Sequence, residues 1–392
     1  MLGSIKRVCV MAGAALLLAG CQVIPDSGTP RTVPEQAEPG PQGPTPQPSE
    51  SALPQDQERN RVALLVPLSG PNGAVGQSIA NATTMALLDT GADNIRLTVY
   101  DTATGAGTAA AEAISDGNRL ILGPLMADNV TAVLAQARPA GIPLVTFSND
   151  SSVATQDVFV MGHIPEQSVA RTVDYAIADG SRRFAVLVPD GEYGRRVEIA
   201  LADRVAAAGG TLVVTERYDR GNTSIISSAE RLRQRGGFDT VLIADGARLS
   251  AMAAGSLKPE GGPLPAILGT ELWSGEGDVT RASALRGARF SAVSDARFRQ
   301  FTTSYEQRFG ETPYRISTLG YDAVLLVLRI SRDWEAGRPF PIRRMTDDGG
   351  FLGLDGAFRF RRDGVGERAF EVRQVGNGTV SVVSPAPQRF ED

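Results

Sequence analysis

From Arg61 onward, short runs of consecutive apolar residues alternate with longer stretches in which apolar residues recur every three or four positions. RVALLVPL is the first run, and GQSIANATTMALLDT after it carries Ile79, Ala82, Met85 and Ala86 on one helical face. The alternation continues as a strand IRLTVYD, a helix GTAAAEAISDG ended by Gly117, a strand RLILGPL, a helix ADNVTAVLAQARPAG broken at Pro139, and a strand IPLVTFS. Strands rich in Val, Ile and Leu, joined through helices of about 10–15 residues, predict a parallel sheet covered on both faces.

After DVFVMGHIPEQ the pattern restarts near His163. RFAVLVPD, TLVVTERYD, DTVLIADG and PAILGTEL read as strands, alternating with helices in YGRRVEIALADRVAAAGG, SSAERLRQRGG and RLSAMAAGSL. RFSAVSD then leads into two helical stretches, RQFTTSYEQRFGETP and TLGYDAVLLVLRISRDW, and from Phe351 the chain reads as antiparallel strands turned by RDG and GNG. The predicted fold class is α/β: two doubly wound lobes with a central cleft and several crossovers. The expected boundaries are 61–163 with 294–342 for the first lobe, and 164–293 with 343–386 for the second. A chain of 392 residues suits two such bodies better than one core.

The N-terminal pattern is different. MLGSIKRVCVMAGAALLLAGC has a basic start, an apolar stretch from Val8 to Leu18 and small residues before Cys21, as an export signal over 1–20 requires. The apolar stretch is well short of the about 20 residues of a membrane span. From Gln22 to Asn60, nine prolines stand among Gln, Glu, Ser and Gly. A segment with so few apolar groups cannot offset the entropy of ordering, so 21–60 is expected to be an extended tether reaching on the order of 100 Å. Cys9 lies inside the signal, which leaves the folded part without thiol or disulfide.

Charge and motifs then exclude chemistry. The formal net charge is −5, or −7 once Lys6 and Arg7 are lost with the signal; a mildly acidic chain has no electrostatic call on nucleic acid. Gly70, Gly73 and Gly76 follow the first strand, but Gln77 stands where a phosphate-binding loop needs Lys, and the spacing departs from the dinucleotide fingerprint. The loop either offers its amides to a partner or only turns a corner. The sole histidine, His163, reads as a buried structural residue, because no second imidazole or free thiol exists to complete a metal site. There is no G-x-S-x-G elbow and no Ser-x-x-Lys in the folded region. No enzyme activity, metal or cofactor is expected.

RVALLVPLSGPNGAVGQSIANATTMAL, LILGPLMADNVTAVLAQARPAGIPLVTFSND and FAVLVPDGEYGRRVEIAL together resemble the type 1 periplasmic-binding-protein family in its leucine/isoleucine/valine-binding branch, from Arg61 to about Ser384. ILGPLMADNV and the tether are most similar to the penicillin-binding protein activator lipoproteins. Leu18-Ala19-Gly20-Cys21 resembles the lipobox of bacterial lipoproteins, which implies acylation of Cys21, and Gln22 after it implies the outer membrane in a Gram-negative cell.

The family resemblance implies a ligand cleft built from Ser69, Gly70, Met126, Ala127, Ser148, Asn149, Asp150, Tyr193, Asp245, Gly246 and Glu271. Relatives that bind amino acids need hydroxyls and amides for the carboxylate and an acid for the ammonium. Here Glu271 in LGTEL keeps the acid and Tyr193 in GEYG keeps the aromatic. The hydroxyl expected after GPLM is instead Ala127, Asn149 and Asp150 follow TFS, and Gly246 or Ala247 replaces the aromatic expected near ADGA. Asp150, Asp190, Asp245 and Glu271 favour a cationic or hydroxyl-rich compound over a zwitterion. The resemblance implies a lipid-anchored protein of the periplasmic face that regulates a peptidoglycan synthase. The alternative is the solute receptor of an ABC permease, and nucleic acid is excluded as a partner.

Overall fold

The computed structural model describes residues 58–257, 264–387 and 390. The expected export signal, Cys21 and nearly all of the tether lie outside the described residues.

In the first half, strands β1 (Asn60–Val66), β2 (Ile95–Asp101), β3 (Leu120–Leu122), β4 (Leu144–Thr146) and β5 (Val158–Val160) alternate with helices α1 (Gly73–Thr90), α2 (Ala106–Ser115) and α3 (Ala127–Ala137). They form a parallel sheet of order β2-β1-β3-β4-β5. After α4 (Pro165–Ala178), the sequence β6 (Arg183–Pro189), α5 (Glu192–Ala207), β7 (Thr211–Tyr218), α6 (Ser224–Arg235), β8 (Thr240–Ile243), α7 (Ala247–Ser256), β9 (Ala266–Leu268), α8 (Asp278–Arg281) and β10 (Arg289–Ala292) repeats the winding. The order β7-β6-β8-β9-β10 matches that of the first sheet strand for strand. In both sheets the order reverses at the first strand, and a crevice at the carboxyl ends of the strands is the place where such sheets take ligands.

Burial follows from the sequence pattern. Val62 to Val66 are fully buried because helices cover both faces. One face packs Ile79, Leu319 and Val327 against Val62 and Leu64; the other packs α2 and α3 against Ala63 and Leu65. The second sheet is covered by α4 and α5 on one face and α6 and α7 on the other.

Helices α9 (Phe298–Phe309) and α10 (Thr318–Ser331) return to the first sheet, where Phe301 and Tyr305 meet Ala82 and Met85. The strands expected from Phe351 then divide. β11 (Phe351–Gly353), β12 (Gly356–Phe360) and β13 (Gly366–Arg368) form a separate antiparallel sheet, whereas β14 (Glu371–Val375) and β15 (Val380–Ser384) extend the second sheet. Residues 343–386 were expected wholly with the second lobe, yet Met345, Phe351, Phe358 and Phe360 join the core of the first sheet. The reason is aromatic packing: Phe360 meets Phe159 edge-on at 5.3 Å and Phe358 lies 5.5 Å from Phe351.

At this junction lies a buried charge cluster. Asp355 accepts from Arg315 at 2.7 Å and from Thr318 at 2.9 Å, and pairs with His163 Nε2 at 2.8 Å. Asp322, fully buried, accepts from the Leu354 amide at 2.5 Å and lies 3.7 Å from Arg368. Arg315 also reaches Ser274 at 3.3 Å and Asp295 at 3.4 Å, and Asp295 pairs in turn with Arg373 of β14. The cluster ties the antiparallel flap, α10 and the second sheet together. None of the described helices is long and apolar enough to cross a membrane.

Candidate functional site

The two loops after β1 and β6 show what the glycines are for. A Cβ on Gly76 would stand 1.7 Å from the Pro67 carbonyl oxygen, and one on Gly194 would stand 1.9 Å from that of Pro189. Each helix packs its first turns directly onto the Val-Pro end of the preceding strand, and only glycine permits that approach. Gly76 therefore serves the corner.

Between the carboxyl ends of the two sheets lies a cavity of about 660 Å³. Seven of the eleven expected cleft residues line it: Met126, Ala127, Ser148, Asn149, Asp150, Tyr193 and Glu271. The other four stand outside its wall. Ser69 is held by Asp101, whose carboxylate also accepts from the Leu68 amide at 2.8 Å, and Gly70 occupies a left-handed turn at φ +71°. This loop touches the cleft wall through Asn72, which donates to the Met126 sulfur at 3.6 Å. Asp245 is spent on Tyr218 at 2.5 Å, on Arg220 at 2.8 Å and on the amide of Gly246 at 2.8 Å. It touches the cleft indirectly, because the Arg220 guanidinium stacks 5.4 Å from the Tyr193 ring centre. Asp190 likewise lies outside, its amide bonded to the Tyr218 carbonyl.

The cavity wall is built from loop and helix starts. Ala127 opens α3 with no side-chain donor, and Asp128 follows it in the first turn. After β4, the Ser148 hydroxyl accepts from the Asp150 amide at 3.0 Å, and Asp150 accepts from the Ser152 amide at 2.9 Å. Burial would raise the Asp150 carboxyl, but the Ser152 contacts and the charges of Arg196 and Arg195 hold it below its ordinary range. Asn149 contributes its carbonyl, which accepts from Arg196 at 2.8 Å. Arg196 forks onto Glu166 at 2.7 and 2.6 Å, so its charge is matched inside the wall.

Glu271 begins a short turn after β9 and is only 8 % exposed. Its Oε1 accepts from the Tyr193 hydroxyl at 3.1 Å, and its buried Oε2 has no hydrogen-bond partner. Burial pushes this carboxyl up to about 7, against the lowering by its own amide and by neighbouring hydroxyls. Burial, followed by the charge of Glu271, also pushes the Tyr193 phenol well above its usual range.

Sequence reasoning missed several wall residues. Arg196 stands three positions after Tyr193 on the same helical face, a spacing that could have found it. Tyr314 and Arg315 come from the return segment between α9 and α10, and nothing local to that segment announces a cleft. His163, read as structural, is bound to Asp355 and also lines the cavity, its side chain 15 % exposed. Burial lowers its imidazole below the ordinary value, against the pull of Asp355. Among the described residues, no group of His, Cys, Asp and Glu could hold a metal ion.

This architecture matches known proteins. Residues 60–379 fit the family model described as periplasmic binding protein. An uncharacterised protein of Rickettsia prowazekii is 28% identical over 45% of this chain and 47% of its own length. The penicillin-binding protein activator LpoA of Glaesserella parasuis is 28% identical over 38% of this chain and 26% of its own length. The chain thus matches half or less of the length of these curated relatives. The crystal structure of the leucine-binding protein LivK from Thermotoga maritima superposes with a TM-score of 0.64 at 20% identity, covering 83% of this chain and 98% of that one. At that identity the likeness carries the fold alone. With a family match over most of the chain and two equivalent sheets around one cleft, the protein belongs to the periplasmic binding proteins, in the type 1 class that resembles the leucine/isoleucine/valine receptors.

Proposed function

We propose that this chain is a non-enzymatic lipoprotein, anchored through Cys21 on the periplasmic face of the outer membrane, that activates or regulates a peptidoglycan synthase. Residues 1–20 would be its export signal and 21–60 its tether. The observation that carries this reading is the wall of the cleft: where an amino-acid receptor needs donors for a carboxylate, this chain presents the methyl of Ala127 and the carboxylates of Asp128 and Asp150. A pocket in which a methyl replaces one carboxylate donor and acids stand beside the site is a poor receptor for zwitterions, because a like charge or an unpaired polar group there costs at least about 1–3 kcal/mol. The similarity to activators named LpoA, 28–31% identical over 31–38% of the chain, supports the same reading.

The test is capture of periplasmic synthases on the immobilised full chain, followed by a glycan-polymerisation and cross-linking assay. Binding with stimulated synthesis is expected; absence of both overturns the proposal.

A second reading, the solute-binding lipoprotein of an ABC importer for amino acids or related solutes, is favoured by the Tyr193–Glu271 pair in the cleft wall. It requires a tightly bound amino acid that is lost in Glu271→Ala. Fractionation of inner and outer membranes separates the two readings further.

A further inference from the structure

The cleft contains acids on both walls, and among the described residues its lining offers them little positive charge beyond the influence of Arg196 and Arg195 on Asp150. Asp128 and Asp150 come from the segments after β3 and β4, while Glu271 and Glu276 come from the segment after β9. The two guanidiniums that line the cavity are already engaged: Arg196 with Glu166, and Arg315 with Asp355 at 2.7 Å. Independently of this acidic surface, Glu271 is more than nine-tenths buried and carries an oxygen without any partner. A buried carboxylate oxygen left unmatched is costly, and a group that donates to it recovers that cost. Between the acids the wall is apolar, made by Leu125, Phe147, Leu272 and Ile316.

We propose that the cleft binds a linear diamine or polyamine, with one ammonium seated on Glu271 and a second on the Asp128–Asp150 wall, its methylenes lying against the apolar strip. Such a ligand alternates positive charge with hydrocarbon as the wall alternates acid with apolar surface. A zwitterionic amino acid supplies only one of the two cations and sets a carboxylate against Asp150. This inference goes beyond the synthase reading and does not rest on it.

The pH dependence has a definite sign. Glu271 must be ionised to pair with an ammonium, and burial has moved its titration to about 7. Around it stand Tyr193 and Arg196 from α5, Glu166 from α4, Arg220 and Asp245 behind the Tyr193 ring, and Glu276 on its own segment. The Tyr193 phenol is pushed upward, and Asp150 across the cleft stays charged, so neither changes state near neutrality. Affinity should therefore rise about tenfold between pH 6 and pH 8.

The experiment is calorimetric titration of the full chain with putrescine and spermidine at both pH values, with butylamine and leucine as comparison ligands. The expected result is diamine and polyamine binding that exceeds butylamine by at least about tenfold, no heat from leucine, and weaker binding at pH 6. Glu271→Gln should lose at least about tenfold and Asp150→Asn several-fold, whereas Glu335→Gln, on the exposed surface, should change nothing; melting curves of each variant report folding, and Asp150→Asn carries the test should Glu271→Gln unfold. Silence toward both amines, equal affinity in Glu271→Gln and Asp150→Asn, tighter binding at pH 6, or a preference for leucine would overturn the proposal. Synthase stimulation is assayed without amine, so its presence or absence bears on the other reading alone.

Discussion

Two buried carboxylates, Asp355 at the junction of the antiparallel flap and Glu271 in the cleft, stand in similar depth but in opposite company. Asp355 is 1 % exposed, and every direction around it is answered: Arg315, Thr318, His163 and, at 3.9 Å, Arg368. Burial alone would raise its titration, but Arg315 and His163 reverse the effect and hold it far below the carboxylate range. Glu271 has no counter-charge, only its own amide and neighbouring hydroxyls, with Oε2 left without a hydrogen-bond partner, so burial wins and its carboxyl rises to about 7. Asp322, next to Asp355, is also pushed upward, because burial and the Asp355 charge outweigh Arg368 and the backbone amides. The difference teaches how to separate a structural charge from an available one: the first has its counter-charges in the fold, and the second has been left for something outside it.

The largest effect should come from breaking the satisfied member. Asp355→Ala removes the acid shared by Arg315, Thr318 and His163, leaves Arg315 only the more distant Asp295 and Arg368 only Asp322, and should cost about 3–5 kcal/mol in urea denaturation. If the loss is below about 1 kcal/mol, the cluster is not holding the flap to the rest.

Glu271→Gln should have the opposite sign. Because the folded chain holds this proton more tightly than the unfolded chain, the stability it contributes is full below the ordinary value of 4.5 and is lost as pH rises through about 7. The glutamine variant keeps an acceptor for Tyr193 and never ionises, so at pH 8 it should be more stable by on the order of 2–3 kcal/mol and near parity at pH 4.5. Chemical denaturation at the two pH values reads this directly, and a destabilised variant at pH 8 would mean that Glu271 has a partner in the folded state.

The smallest effect belongs to the group shared by both regions. His163 is bonded to Asp355 and lines the cleft, and burial lowers its imidazole, so its contribution is present above about 6.5 and is lost as pH falls below that value. His163→Gln should flatten the decline of Tm between pH 7 and pH 5 by the equivalent of about 1 kcal/mol. An unchanged slope would assign the decline to other groups.

The alternation of apolar runs with helical spacing was legible from Arg61 to the end, and nearly every strand and helix it marks is present. Three elements were missed: β5, α4 and α8, the last a single turn over Asp278–Arg281. β5 is only three residues, VFV, too short to show a period. α4 carries its signals, with Pro165 at the first helical position, Glu166 in the first turn and Val169, Val173 and Ala176 along one face, but it stands between the two runs of strand–helix alternation and belongs to neither. In the cleft, positions next to strand ends were found because the doubly wound pattern places strand ends there. The return segment with Arg315 was not, since its place in the cleft depends on a chain crossing that leaves no local pattern.

Local physics, then, is what the chain carries in its order: unbroken apolar runs for buried strands and apolar residues every three or four positions for helices, glycine where a helix must abut a proline carbonyl, and the bare methyl of Ala127 where a hydroxyl would be wanted. Which carboxylate finds its counter-charge was decided only by tertiary structure. His163 and Asp355 are separated by 192 positions, and Arg315 by 40 from the same acid. Pairing over such separations depends on how the flap and the return helices close around the first sheet, and the desolvation that lifts Glu271 exists only once the cleft has formed around it.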